Sequence, residues 1–216
     1  LPLLVKLLEN GTEGAKEAAA GALARLATNS DNHKMIVDNG AIPPLVELLE
    51  EGSEMVKQDA VVVLASLAAN QGNAETQVNL GFMYEQGRGV VKDYEKAVEW
   101  YEKAADQSYA PAQNNLGLMH ELGRGVAKDY EEAVACFRKA ADQGYVFAQN
   151  NLGVMYEKGF GLVKDYEEAV AWYTKAAEQG YPKAQNNLGV MYEKVFGLAK
   201  DYEEAVAWYT KAAEQG

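Results

Sequence analysis

Cysteine, histidine and proline are all scarce in this sequence of 216 residues, which holds one cysteine, two histidines and five prolines. The single cysteine, Cys136, cannot form an intramolecular disulfide, so the fold needs no oxidising compartment and a cytoplasmic location is the expectation. The sequence contains no cysteine–histidine cluster of the kind that binds zinc, and we expect neither a metal nor a cofactor. The low proline content leaves long stretches free to form helices.

Positive charge is also in short supply, because 20 lysines and arginines stand against 32 aspartates and glutamates and give a formal net charge of −12. A surface of this sign repels nucleic acid and anionic lipid, so we expect neither as a partner, whereas a protein or peptide with basic residues is favoured. No apolar run is long enough to span a membrane, and no signal peptide opens the chain. Apolar residues still make up 48% of the sequence, which predicts a packed core.

What the sequence has in abundance is internal repetition, with a period of 36 residues from residue 80 onward. In each unit, two stretches carry apolar residues at the spacing of an amphipathic helix. An aspartate stands before the second helix, where an N-cap belongs, and a glycine such as Gly123 stands after the first. The repeated leucines are Leu80, Leu116, Leu152 and Leu188. The sequence therefore predicts an all-α protein built from helix pairs.

Two features of these units carry expectations about stability. Every first helix contains a glycine, which we attribute to close approach of the second helix, whose facing positions include many alanines; these glycines are Gly81, Gly117, Gly153 and Gly189. In the last unit Val195 replaces the glycine that ends the first helix elsewhere. A β-branched residue is strained at positive φ, so we expect a local weak point at Val195.

The order of residues within each unit resembles a known repeat. The pattern A-x-x-x-L-G-x-x-Y, then G-x-G, then D-Y-x-x-A, then K-A-A-x-Q-G recurs with few exceptions in four units over residues 74–216. It is similar to the Sel1-like repeat, a relative of the tetratricopeptide repeat, and the 36-residue period favours the former. The resemblance implies a right-handed α–α superhelix, a helical repeat solenoid in which each unit packs only on its neighbours.

Residues 1–73 repeat differently, because the stretch 1–9 matches the stretch 42–50 at an offset of 41 residues. This pattern resembles the armadillo repeat, with one complete unit over residues 31–70 and the last two helices of a preceding unit. No linker separates the two families, and we predict that both arrays stack as one continuous solenoid. In that stack Leu64, Leu67 and Ala68 should pack on the helix of residues 78–83.

The two resemblances together imply a protein–protein interaction scaffold or adaptor with no catalytic residues. A thiol–imidazole pair of Cys136 and His120 is disfavoured, because these residues occupy repeat positions that hold tryptophan and tyrosine in the other units. Two alternatives stay open. One is a chimeric or designed repeat protein with no selected partner, and the other, more remote, is an enzyme.

The candidate binding residues lie on the first helix of each Sel1-like unit, opposite the core leucine. In the tetratricopeptide relatives this side lines a concave groove, so we expect a partner segment there. Asparagine amides would bind its backbone, apolar residues would anchor it, and glutamates would attract lysine or arginine. The three ladders are Val78, Asn114, Asn150 and Asn186; Phe82, Leu118, Val154 and Val190; and Glu85, Glu121, Glu157 and Glu193.

Overall fold

The computed structural model describes residues 1–69, 73–194 and 201–214, and this part of the chain is all-α, as the sequence predicts. It contains thirteen α-helices, one short 3₁₀ helix (Ser30–Asn32) and no strand. The α-helices are α1 (Pro2–Asn10), α2 (Glu13–Ala27), α3 (His33–Asp38), α4 (Ile42–Glu51), α5 (Glu54–Ala69), α6 (Ala74–Gln86), α7 (Tyr94–Ala105), α8 (Ala110–Leu122), α9 (Tyr130–Asp142), α10 (Val146–Lys158), α11 (Tyr166–Glu178), α12 (Pro182–Lys194) and α13 (Tyr202–Ala213).

These helices form two compact units, Leu1–Gln107 and Ser108–Gly216. The first unit holds the five armadillo-like helices together with the pair α6 and α7, and the second holds the three remaining Sel1-like pairs. The first unit therefore extends one helix pair beyond the change of sequence pattern at residue 73. Stacking of all the repeats in one continuous solenoid stays a prediction.

Within the first unit, the armadillo-like helices and the pair α6–α7 share one hydrophobic core. Leu64, Leu67 and Ala68 of α5 belong to the same buried cluster as Leu80 and Met83 of α6. This is the packing that we expected between α5 and the helix of residues 78–83. Within this unit the two repeat families therefore share a common core.

A side-chain hydrogen bond also links α5 to α6. The Gln77 Nε2 group donates to the Ala68 carbonyl oxygen at 3.0 Å. In the second unit Gln149 donates to the Ala141 oxygen at 3.3 Å, and Gln185 does the same to a carbonyl of α11. Helix α5 therefore packs on α6 in the same way as the second helix of one Sel1-like pair packs on the first helix of the following pair.

Each Sel1-like pair is closed by an aromatic ring of its second helix, which lies directly on the glycine of its first. A Cβ atom on Gly153 would lie 2.7 Å from the Tyr173 ring, and one on Gly117 would lie 2.7 Å from the Phe137 ring. The close approach expected at these glycines is confirmed. Its main cause is an aromatic side chain, whereas the sequence suggested alanines.

The ends of the helices follow the sequence signals. Gly87, Gly123 and Gly159 end α6, α8 and α10 with φ between 65° and 73°, in the left-handed region that favours glycine. The aspartates before α7, α9, α11 and α13 each accept backbone hydrogen bonds from the first turn of their helix. Val195, the expected weak point, lies outside the described residues.

The cap of α11 offers a direct test of these local signals. Asp165 accepts hydrogen bonds from the Glu167 and Glu168 amides at 2.9 and 3.0 Å. We expect Asp165→Ala to lower the free energy of unfolding by about 1 kcal/mol, because two amide groups lose their acceptor. Asp165→Asn is the matched control and should stay close to the parent, since asparagine caps as well as aspartate. Urea denaturation measures both, and an equal loss in the two variants would contradict the capping role.

Candidate protein-interaction surface

In the second unit, the candidate binding residues lie on the three first helices α8, α10 and α12. We call this surface the first-helix face; it consists of Asn114, Leu118 and Glu121 of α8, Asn150, Val154 and Glu157 of α10, and Asn186, Val190 and Glu193 of α12. Its three apolar members are half-buried, so part of each side chain is open to solvent. Glu121 and Glu157 are half-buried as well, whereas Glu193 is exposed.

The open ladder of asparagines expected from the sequence is not present. Asn114 and Asn150 are only 4% and 1% exposed. The Asn151 amide donates to the Asn114 Oδ1 atom at 2.9 Å, and Asn187 does the same to Asn150 at 3.0 Å. These side chains join neighbouring first helices to each other and are closed to a partner's backbone. In this ladder of the second unit, Asn186 alone is exposed.

The glutamates of the first helices are held by tyrosines of the paired second helices. The Tyr173 hydroxyl donates to the Glu157 carboxylate at 2.7 Å, and Tyr209 donates to Glu193 at 3.0 Å. Glu121 differs, because the residue at the equivalent position of α9 is Phe137, which has no hydroxyl. The row of glutamates is therefore uniform in sequence but not in its contacts.

The pKa values of two of these carboxyls move in opposite directions. Burial tends to raise the pKa of Glu157, but hydrogen bonds from Lys158 and Tyr173 hold it below its ordinary value. Burial raises the pKa of Glu121, and the charges of Lys128 and Lys183 offset this only in part. Among the three carboxylates of this face, that of Glu121 is therefore the one that no hydrogen bond from a described residue stabilises.

The equivalent residues of α6 lie in the first unit and form a separate, smaller surface. Val78 is half-buried, and Phe82 is 38% exposed with the Arg88 guanidinium 5.1 Å from its ring centre. Glu85 accepts a hydrogen bond from the Tyr101 hydroxyl at 2.8 Å. This surface has the same apolar and acidic composition as the first-helix face of the second unit.

An aromatic cluster at the beginning of α10 was not among the ladder residues. Phe147 is 43% exposed, and its ring centre lies 5.3 Å from that of Tyr145 and 5.1 Å from that of Tyr181. The signal in the sequence was a phenylalanine at a position that holds Pro111 in the preceding unit and Lys183 in the next. The cluster places a large apolar group, partly open to solvent, beside the first helices.

Cys136 and His120 lie on the paired helices α9 and α8. Cys136 is 7% exposed in α9, the same burial as Trp172, which occupies its position in the next pair. In the described part of the chain, no three histidine, cysteine, aspartate or glutamate residues are grouped so that they could hold a metal ion. Among the described helices, none combines the length and apolar character needed to cross a membrane.

Comparison with repeat families gives two matches. The Sel1 repeat profile matches residues 74–109, 110–145, 146–181 and 182–216, and the armadillo/β-catenin-like repeat profile matches residues 29–69. Both resemblances noted in the sequence are confirmed. A comparison with curated proteins gave no match.

Solved structures with similar folds come from several bacteria. A Sel1 repeat protein from Oxalobacter formigenes is 38% identical over 81% of this chain and 70% of its own, with a TM-score of 0.73. The protective antigen c5321 of uropathogenic Escherichia coli, which displays an SLR fold, is 28% identical over 98% of this chain, with a TM-score of 0.72. This chain spans 49% of that antigen. The immunity protein Pa5087 from Pseudomonas aeruginosa, 24% identical over 80% of this chain and 66% of its own with a TM-score of 0.52, shows likeness of fold alone.

Proposed function

Because this chain belongs to the Sel1 repeat family, whose helical repeat scaffolds typically mediate protein–protein interaction, we propose that it binds a segment of a partner protein along the first-helix face of its second unit. The α6 surface of the first unit offers a second site of the same kind. The segment would carry apolar side chains and at least one lysine or arginine. Nucleic acid and membrane lipid are not expected as partners, because the net charge of −12 repels both.

An effect of charge across the first-helix face supports this proposal. Lys183 of α12 lies close enough to the Glu121 carboxyl of α8 to lower its pKa, although a whole repeat stands between the two helices. Packed helix axes are about 8–10 Å apart, so α8 and α12 would lie roughly twice that distance apart on a flat surface. An influence of charge across such a gap leads us to expect a concave surface, which suits an extended or helical segment.

The half-buried apolar row supplies the contacts that would hold such a segment. Leu118, Val154 and Val190 each keep part of their surface in water, and Leu118 and Val154 also pack on the buried clusters of this unit. Covering that surface with a partner's side chains is favourable at about 25 cal/mol for each Å² removed from water. No large aromatic residue lies within the row itself, so we expect moderate affinity.

Two other functions are weaker candidates. The Sel1 repeat family consists of helical repeat scaffolds, and we expect no catalytic activity from this chain. A chimeric or designed protein without a selected partner would fold in the same way. Such a protein would show no preference for ligands at the first-helix face, which separates it from the proposed scaffold.

The experiment selects ligands from a phage-displayed library of random 12-residue peptides and measures their affinity by calorimetry. We expect the double variant Leu118→Asp with Val154→Asp to bind the selected peptides at least tenfold more weakly, since about 1.4 kcal/mol of apolar contact is worth a factor of ten. Ala135→Asp with Ala171→Asp is the matched control, because these exposed alanines lie on the second helices of the same two repeats. Binding by the control should change less than twofold.

Folding is checked for both double variants by circular dichroism and thermal melting. Should Leu118→Asp with Val154→Asp melt more than a few degrees below the parent, the single variant Leu118→Ala takes its place. Equal losses in the face variant and the control, or no loss in either, would refute binding at the first-helix face.

A further inference from the structure

We propose that Glu121 is the residue of the first-helix face that recognises a cation, by accepting the side chain of an arginine or lysine in the bound segment. This inference rests on the proposed function and names the chemistry of one position within it. The repeats supply an internal comparison, because the same glutamate occurs in four chemically similar surroundings.

The comparison isolates one missing hydroxyl group. In the pair α10–α11 the Tyr173 ring lies on Gly153 and its hydroxyl donates to Glu157. In the pair α8–α9 the Phe137 ring lies on Gly117 at the same 2.7 Å distance from an added Cβ. The backbone and ring geometry are therefore alike, and the difference at Glu121 is the absent donor.

Nothing in the described part of the chain replaces that donor. Glu121 makes no hydrogen bond and no ion pair there, although it is half-buried. Lys128 lies 4.6 Å over the Tyr130 ring, and the exposed Lys183 side chain acts on Glu121 only through its longer-range charge. A half-buried carboxylate without a donor loses hydration, and the charges of Lys128 and Lys183 offset that loss only in part. A ligand that brings a donor restores the lost interaction.

A positively charged donor fits this position better than a neutral one. Hydrogen bonds between ionised partners are roughly twice as strong as those between neutral groups. An arginine can also place two N–H groups on one carboxylate. The glutamates equivalent to Glu121 already accept from tyrosine, so a basic ligand gains most at Glu121. The net charge of −12 attracts a basic segment toward the protein in the first place.

An apolar anchor lies near the same end of α12. Phe147 is 43% exposed and contacts Tyr181, two residues before the lysine that influences Glu121. We expect a segment that places its cation at Glu121 to set an apolar or aromatic side chain against this ring. The ligand class is a peptide in which an arginine or lysine stands close to an apolar or aromatic residue.

Two substitutions in the protein test the inference from opposite sides. Glu121→Gln removes the charge, and Phe137→Tyr supplies the missing hydroxyl so that Glu121 is paired internally, as Glu157 is. Both should weaken binding of peptides selected from the random 12-residue library by about 10- to 100-fold, the factor for losing a charged hydrogen bond. The matched control is Glu131→Gln, which removes the same charge from an exposed glutamate of the second helix α9, and its effect should stay below about threefold.

A substitution of the basic residue in the peptide, combined with Glu121→Gln in the protein, gives a double-mutant cycle. We expect the selected peptides to share a lysine or arginine at one position, and its replacement by glutamine should weaken binding to the parent by the same factor. The same replacement should have almost no effect on binding to Glu121→Gln, because the two partners are then already separated. Thermal melting of each variant confirms that the fold is kept.

Failure of this inference can be told from failure of the proposed function. Peptides that lose affinity in the variant Leu118→Asp with Val154→Asp but not in Glu121→Gln would overturn the role of Glu121 and leave binding at the first-helix face in place. Peptides indifferent to both variants would overturn both. Selected peptides without a shared cation would also refute recognition by Glu121.

Discussion

Replacing Leu67 by alanine is expected to destabilise the armadillo-like helices and the pair α6–α7 together, by about 2–5 kcal/mol. Leu67 is only 2% exposed, and it lies in the cluster that contains both Leu45 of α4 and Leu80 of α6. Removing its side chain leaves a cavity that borders both repeat families. Hydrogen exchange followed by mass spectrometry should show amide protection falling in α4, α5, α6 and α7 by similar factors.

The control is an exposed leucine of the same unit. Leu3 of α1 is 68% exposed, so Leu3→Ala should change stability by no more than about 0.5 kcal/mol. If Leu67→Ala lowers protection in α4 and α5 while α6 and α7 keep theirs, the two families fold independently. In that case the shared cluster would contribute little to cooperativity.

Helix positions in this protein could be predicted from the sequence because local signals determine them. The aspartate before α11 and the glycine after α10 mark real ends, since capping acts over only a few residues. The extent of the compact units could not be predicted in this way. The pattern changes at residue 73 but the first unit continues to Gln107. Periodicity tells which residues of a helix share a side, and not which neighbour covers that side.

The same limit explains why the prediction of an asparagine ladder open to a partner was wrong. A helical wheel places Asn114 opposite the core leucine, and this suggests contact with solvent or with a partner. In the structure the next first helix covers that side, and Asn151 reaches back to the Asn114 oxygen. The replacement of tyrosine by Phe137 was visible in the repeat alignment. Its consequence for Glu121 depends on a bond between residues 16 positions apart, which the Tyr173–Glu157 pair shows.

Repetition therefore divides the residues of this chain into two groups with different roles. Positions that keep the same bond in successive units, such as the asparagine pairs, hold the array together. Positions where one unit departs from the others, such as Phe137 and Phe147, change the surface at a single place along it. In a scaffold made of near-identical units, selectivity for a partner has to come from the second group.

Replacing Gly153 by alanine is expected to lower the free energy of unfolding by about 1–3 kcal/mol, the usual cost of overpacking a core. The added Cβ would lie 2.7 Å from the Tyr173 ring, which is fully buried, so the ring or the helix backbone has to shift. Alanine is the better helix former by roughly 1 kcal/mol, so the steric cost has to exceed this gain for the prediction to hold. The Tyr173 hydroxyl should also move away from Glu157, which would weaken that 2.7 Å hydrogen bond.

Gly14→Ala is the matched control for this effect, because it adds the same methyl group to a helix where nothing lies within 4 Å. It should leave stability unchanged or raise it by up to about 1 kcal/mol. Urea denaturation of the full chain compares the stabilities of the two variants. The fluorescence of Trp172 and Trp208 reports on unfolding of the second unit. A gain in stability for Gly153→Ala equal to that of Gly14→Ala would mean that the ring can shift freely. The repeated glycine would then reflect duplication of the unit and not the contact between its two helices.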